Sequence, residues 1–278
     1  MSHEEDEDYK VSSEIYEEFD YTSTAKPIVN KNNTVSKFVF TLPTKAKIDP
    51  DGDLEVTRRH NAELSIQIEH SKSTVLNLVG LQIWRGALLL ADWLIFNAEN
   101  ITKDSYILEL GAGVGFTSIV ASMFAPVYCS DVNRSDLFQL IESNYNRNKS
   151  LTKFPLKVVE LDFLVQTLPN DIVNILPQVS LIIAADVVYD DIITKAFVNT
   201  IEHLLSKPPQ RSVIVALEKR YVFTLAEFDS VAPCYDYFIE CLENVKNIKV
   251  EQIKCDFPQY FKYERVEQLV LWKVTSNF

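Results

Sequence analysis

From Ser105 onward, short apolar runs alternate with stretches whose apolar residues recur at helical spacing. Strands are predicted at 105–110, 127–130, 157–161, 179–185, 212–217, 248–253 and 268–273. Helices are predicted at 115–124, 135–147, 191–205 and 225–241. The run 179–185 carries no charge, as expected of a strand covered on both faces of a parallel sheet. Such alternation predicts an α/β fold with a doubly wound, mostly parallel seven-stranded sheet. No helical pattern separates the last two strands, so they are expected to form an antiparallel hairpin at one edge.

Upstream the pattern changes. Residues 1–36 mix acids with Ser, Thr, Asn and Lys without a sustained period, and read as an acidic disordered tail. Order is expected from Lys37. Asp49-Pro50-Asp51-Gly52 is a turn signal. Leu54 and Val56, then Leu64, Ile66 and Ile68, alternate with polar residues. Residues 37–80 therefore read as an N-terminal β-hairpin unit packed on a main domain at 81–278. Trp84 stands at a helix start, where on position alone it is a core plug more readily than a ligand contact.

Composition narrows the class. With 47% hydrophobic residues a sizeable core is expected, and no membrane-spanning segment is expected from the apolar runs. Cys129, Cys234, Cys241 and Cys255 lie far apart without a C-x-x-C pair, so thiols rather than a zinc site are expected. The net charge is −12, and residues 1–20 hold nine acids against one base, Lys10. No dense Lys/Arg stripe is visible, which argues against direct nucleic-acid binding. The acidic tail suits a basic protein partner.

The chemistry centres on Glu109-Leu110-Gly111-Ala112-Gly113-Val114-Gly115. Three of only six glycines in 278 residues fall here, between an apolar strand and an apolar helix. Strand, glycine loop and helix form the nucleotide-cradling corner of α/β sheets. A dinucleotide fingerprint would need glycine at Phe116, and Glu109 would repel a pyrophosphate. S-adenosylmethionine has no phosphate and carries two cationic groups that suit an acid. Asp131, 20 residues after Gly111 and past the second strand, is placed to accept hydrogen bonds from ribose hydroxyls.

Ligands of open α/β sheets sit beyond the carboxyl ends of the strands. The third strand offers Asp162 and Phe163, for the adenine amine and ring, or for a turn cap and the core. The fourth offers Ala185, Asp186, Val187, Val188 and Tyr189, where an acid is costly to bury unless used or paired. Glu218, Lys219 and Arg220 read most simply as a solvated strand end.

Taken together, I-W-R-G-A around Trp84, E-L-G-A-G-V-G, Asp131, L-D-F at 161–163 and A-D-V-V-Y at 185–189 resemble the seven-strand methyltransferases of family 16. The likeness covers about residues 75–275, and implies a Rossmann-like class I methyltransferase with an antiparallel last strand. It implies S-adenosyl-L-methionine as cofactor, contacted by Trp84, Gly111, Ala112, Gly113, Asp131, Phe163 and Ala185. It puts Asp186 and Tyr189, a D-x-x-Y motif, beside the methyl-acceptor channel as catalytic residues. Phe163 stands where many members have tryptophan, a smaller ring that still stacks.

The implied activity is methyl transfer to a lysine ε-amine of a partner protein, for which a basic nucleic-acid-handling protein is one candidate. A monomer without metal, membrane or direct nucleic-acid contact is expected, in the nucleus and also the cytoplasm. Two rivals remain. Nucleobase or glutamine N-methyltransferases carry [N/D]-P-P-[Y/F] where this chain has Asp186-Val187-Val188-Tyr189. A non-catalytic cofactor-binding scaffold could present the acidic tail to a basic partner.

Overall fold

An uncharged run such as Val179–Ala185 must be covered on both faces, and it is the central strand of a seven-stranded sheet. The computed structural model describes residues 10–43, 63–224 and 229–277. Its first part holds strand β1 (Lys10–Val11), helix α1 (Ile15–Glu18), strands β2 (Thr34–Phe40), β3 (Leu64–His70) and β4 (Thr74–Val75), and helix α2 (Arg85–Phe96). The sheet begins with β5 (Tyr106–Leu110), α3 (Phe116–Ala121), β6 (Val127–Asp131), α4 (Leu137–Arg147) and β7 (Leu156–Glu160). It continues with α5 (Asn170–Ile175), β8 (Val179–Ala185), α6 (Asp191–Leu205) and β9 (Ser212–Glu218). A hairpin of β10 (Val222–Thr224) and β11 (Asp229–Val231) precedes α7 (Pro233–Glu243), β12 (Ile248–Ile253) and β13 (Leu269–Ser276).

The sheet order is β12-β13-β9-β8-β5-β6-β7, with β13 the one antiparallel member. Period-two alternation splits each central strand between two cores. Ile183, Ile214 and Ala216 face α2, α3 and the β2–β3 hairpin. Ile182, Ala184, Val213 and Val215 face α5, α6 and α7. The doubly wound, mostly parallel sheet expected from the apolar pattern is therefore present.

Four expectations need revision or qualification. The acidic tail is part of the fold from Lys10 onward: β1 pairs with β4, Ile15 is fully buried, and the Tyr21 hydroxyl donates to the Lys262 carbonyl. Burying one isoleucine contributes about 1.5–3 kcal/mol, enough to help seat so short a segment. Asp229–Val231, expected within a helix, is instead a strand paired with Val222–Thr224, and α7 begins only at Pro233, whose missing N–H suits a first helical turn; residues 225–228 lie outside the described residues. The short helix α5 was not read from the sequence. Finally, Leu76–Phe96 does have the length and hydropathy of a membrane span, but 67% of its apolar 18-residue window is buried inside the fold. An extended corner through Gln82 and Trp84 also interrupts it. The turn at 49–52 and the alternation of Leu54 and Val56 lie outside the described residues.

Candidate functional site

The carboxyl ends of β5, β6, β7 and β8 open onto one cavity of about 150 Å³. Trp84, Glu109, Gly111, Ala112, Gly113, Asp131, Asp162, Phe163, Ala185, Asp186 and Tyr189 all line it. These eleven candidate catalytic and cofactor-binding residues are thus brought to one place, whereas Val188 and Glu218 to Arg220 do not line it.

The glycine loop needs its glycines for packing as well as for turning. Gly111 has φ +66°, and a Cβ there would sit 2.6 Å from a Val187 methyl. Gly113 has φ +52°, and a Cβ would meet the Gly80 carbonyl oxygen at 2.7 Å. Asp131 holds the loop against β6: one carboxylate oxygen accepts from the Gly113 N–H at 2.8 Å, the other from the Val132 N–H at 2.7 Å. Burial pushes its pKa up.

Glu109 differs from the simplest expectation. It is 1% exposed, and its carboxylate accepts from the Ser118 hydroxyl in the first turn of α3. It ties strand to helix from beneath the cavity, and burial lifts its pKa to about 7. Asp162 does cap its own turn, accepting from the Leu164 N–H at 2.9 Å, while also lining the cavity. Phe163 is half-buried, packed on Phe197 at 5.4 Å and facing the loop at Gly111.

Asp186 has φ +50°, a left-handed conformation that aspartate adopts more readily than most residues. Its Oδ2 accepts from the Gly86 N–H at 2.6 Å and its Oδ1 from the Glu218 N–H at 3.1 Å. One carboxylate therefore ties the ends of β8 and β9 to the start of α2. Burial raises its pKa to about 6. Tyr189 is 36% exposed at the cavity mouth, its phenol shifted upward by burial and the nearby Asp131 charge.

Trp84 is the residue preceding α2. Its indole N–H donates to the Val79 carbonyl at 3.0 Å, and the Arg220 guanidinium lies 4.6 Å from its ring centre. Glu218, read as a solvated strand end, instead accepts at both carboxylate oxygens from Arg85 Nη1, at 2.7 and 2.9 Å. Gly80, Gly86 and Arg85 were not read as site residues. The signal was there in part, since two of a glycine-poor chain's six glycines flank Trp84. All four cysteines are free, and among the described residues no group of three or more His, Cys, Asp or Glu side chains could hold a metal.

A seven-stranded sheet with its glycine loop after β5, the neighbour of the central strand, and an acid at the end of β6 is the architecture of class I methyltransferases. The family described as lysine methyltransferase matches residues 60–232. Methyltransferase-like protein 22 of Mus musculus is 38% identical, over 75% of this chain and 58% of the mouse protein. Its Homo sapiens counterpart is 33% identical, over 84% of this chain and 72% of the human protein. The protein-lysine N-methyltransferase EFM3 of Chaetomium thermophilum is 26% identical over 51% of this chain and 43% of its own. Among solved structures, magnesium protoporphyrin IX methyltransferase from Synechocystis with bound SAH aligns with a TM-score of 0.46 and 15% identity. That alignment covers 69% of this chain and 82% of the other. This chain belongs to the lysine methyltransferase family.

Proposed function

We propose that this protein is an S-adenosylmethionine-dependent protein-lysine N-methyltransferase. The observation that carries the reading is the meeting of the glycine loop with the Asp186–Tyr189 turn in one cavity, in a chain of this family. The side chains present suit the cofactor: Asp131 and Asp162 offer acceptors for ribose and adenine donors, Phe163 and Trp84 offer rings, and the backbone of Gly111 to Gly113 allows close approach. No basic side chain of the loop awaits a phosphate. When bound, S-adenosylmethionine supplies a methyl group activated on a cationic sulfur.

The chain's own residues must receive and prepare the acceptor. A free lysine has a pKa near 10.4, so only about one in 10³ is neutral at pH 7. Apolar walls around the mouth favour the neutral amine by disfavouring the cation. Asp186 already accepts two backbone hydrogen bonds, and a carboxylate has lone pairs for a further donor. Its role is to orient the incoming amine. Tyr189 walls the channel and excludes water. Alignment of the reactants can lower the barrier by about 7–11 kcal/mol in well-ordered cases.

The partner in this reading is a protein with an accessible lysine, a basic nucleic-acid-handling protein being the candidate favoured by the acidic first 20 residues, and the enzyme is a monomer acting in the nucleus or cytoplasm. Labelled S-adenosylmethionine incubated with cell extract tests the activity. A labelled protein band that disappears when lysines are alkylated beforehand supports it. Labelled RNA would favour nucleobase methylation, and binding without transfer would favour a scaffold. Single-turnover rates of Asp186→Ala and Tyr189→Phe test the roles, and unchanged rates in both would remove them.

A further inference from the structure

Five consecutive residues at the head of α2 are divided between two neighbours. Gln82, Ile83 and Arg85 are gripped by the N-terminal segment. Gln82 accepts from the Ser13 N–H at 3.0 Å and donates to the Val11 carbonyl at 3.0 Å. The Ile83 N–H donates to the Tyr16 hydroxyl at 3.3 Å. Arg85 donates from Nε to Glu18 at 2.6 Å. The two residues between and after them serve the cavity: Trp84 lines it, and the Gly86 N–H holds Asp186.

Arg85 also closes a ring of contacts. Its guanidinium binds the Glu218 carboxylate, the Glu218 N–H binds Asp186 Oδ1, and Asp186 Oδ2 binds Gly86, the next residue along the chain. The Arg85, Glu18 and Glu218 side chains are only 10–13% exposed, so solvent screens this ion triad weakly. Glu14 reaches Arg85 as well, at 3.8 Å, and carries a second link. Glu14 pairs with Arg220 at 3.4 Å, and Arg220 lies over the Trp84 ring.

We propose that residues 11–18 are a working part of the methyl-transfer site, setting the positions of Trp84 and Asp186 through Gln82, Ile83 and the Glu18–Arg85–Glu218 triad. Arg85 is then a positioning residue, and the acids of this segment hold the site together rather than serving only to attract a partner. This rests on the reading of the cavity as an S-adenosylmethionine site. It goes beyond that reading in making the cofactor's affinity depend on a segment that need not touch it.

The test compares the full chain with Glu18→Gln, Glu14→Gln and Arg85→Lys, with Lys157→Ala as a control at the exposed Lys157–Asp171 pair. Calorimetry with S-adenosylhomocysteine gives affinity, hydrogen exchange reports on the Gly86 and Glu218 amides, and circular dichroism reports on folding. Glu18→Gln keeps the shape of the side chain and should weaken S-adenosylhomocysteine binding about three- to thirtyfold, the range seen for networks that couple through packed residues. The Gly86 and Glu218 amides should exchange faster in the same variant. Arg85→Lys, which keeps the charge but not the fork, should also bind more weakly. Glu14→Gln, at a half-exposed position that does not threaten folding, should show a smaller loss, and the control none. Folded variants that all bind within twofold of wild type would overturn the inference alone. A wild-type chain that binds no S-adenosylhomocysteine would overturn the methyltransferase reading and this inference with it.

Discussion

Asp186 and Gly86 are 100 positions apart in the chain, and the carboxylate of one accepts the backbone N–H of the other at 2.6 Å. The contact requires glycine, because a Cβ at position 86 would lie 2.5 Å from Asp186 Oδ2 and 2.7 Å from its Cγ. Gly86→Ala should therefore displace Asp186 rather than unfold α2, where alanine is the better helix former. Misplacing a reacting group by about 1 Å can cost on the order of 10²-fold in rate. Single-turnover methylation should fall by about that factor while the melting temperature changes little. A normal rate would show that the acid's position is not critical.

Asp131 offers a cleaner test of cofactor contact. Asp131→Asn keeps one acceptor for Gly113 but loses the charge and the second oxygen. Hydrogen bonds to charged groups are worth about 1.5–3 kcal/mol, so S-adenosylhomocysteine should bind about ten- to hundredfold more weakly. Titration calorimetry measures it. A dissociation constant within twofold of wild type would take Asp131 out of the ribose contact.

Glu109 and His70 are both buried and respond to acid in opposite senses. Burial lifts the Glu109 carboxyl from 4.5 to about 7 and lowers the His70 imidazole from 6.5 to about 4. At Glu109 the folded state binds the proton more tightly, so that contribution to stability is full below about 4.5 and is lost as pH rises through 7. At His70 the unfolded chain binds it more tightly, so stability is full above about 6.5 and is lost as pH falls toward 4. Replacing Glu109 by Gln should raise the difference in unfolding free energy between pH 8 and pH 5 by about 2–3 kcal/mol, and His70→Gln should lower it by about 2 kcal/mol. Urea titrations at the two pH values decide it, and shifts of the same sign in both variants would contradict the assignment.

Asp92 is completely buried in α2, yet its carboxylate is fully used. It accepts from the backbone N–H groups of Tyr260 and Phe261, from the Tyr263 hydroxyl and from Arg265 at 2.6 Å. Asp92→Ala should cost about 3–5 kcal/mol by leaving the arginine buried without its anion. Asp92→Leu combined with Arg265→Met should recover part of this, but not all, because the two backbone donors would still lack an acceptor. Chemical denaturation of the three proteins separates these outcomes.

The sheet was legible because its strands are short apolar runs whose burial does not depend on knowing their neighbours. The same holds for the glycine loop, whose backbone geometry is written in residue type. The N-terminal segment was not legible. Its anchors are a few apolar residues such as Ile15 and Tyr21 in an acid-rich stretch, and its acids are satisfied by Arg85 and Arg220, far away in the chain. Asp186 was recognisable as an acid needing a partner, but the sequence does not say that the partners are the Gly86 and Glu218 amides. Glu109 was likewise found as an acid, but its bond to Ser118 was not foreseen, since Ser118 is a nearby hydroxyl with no mark of its own. Pattern shows which side chains are committed; it does not show to whom.

Strand β13 lies between β9 and β12, and joins them by antiparallel pairing on both sides. During synthesis, residues 212–218 and 248–253 emerge well before residues 269–276, and have no shared edge until those arrive. The segment around Glu18 is made far earlier still, but two of its attachments, at Lys262 and Glu264, lie in the stretch leading into β13. It therefore leaves the ribosome long before the residues that complete its seat. Growing chains must carry a finished glycine loop beside an unfinished wall.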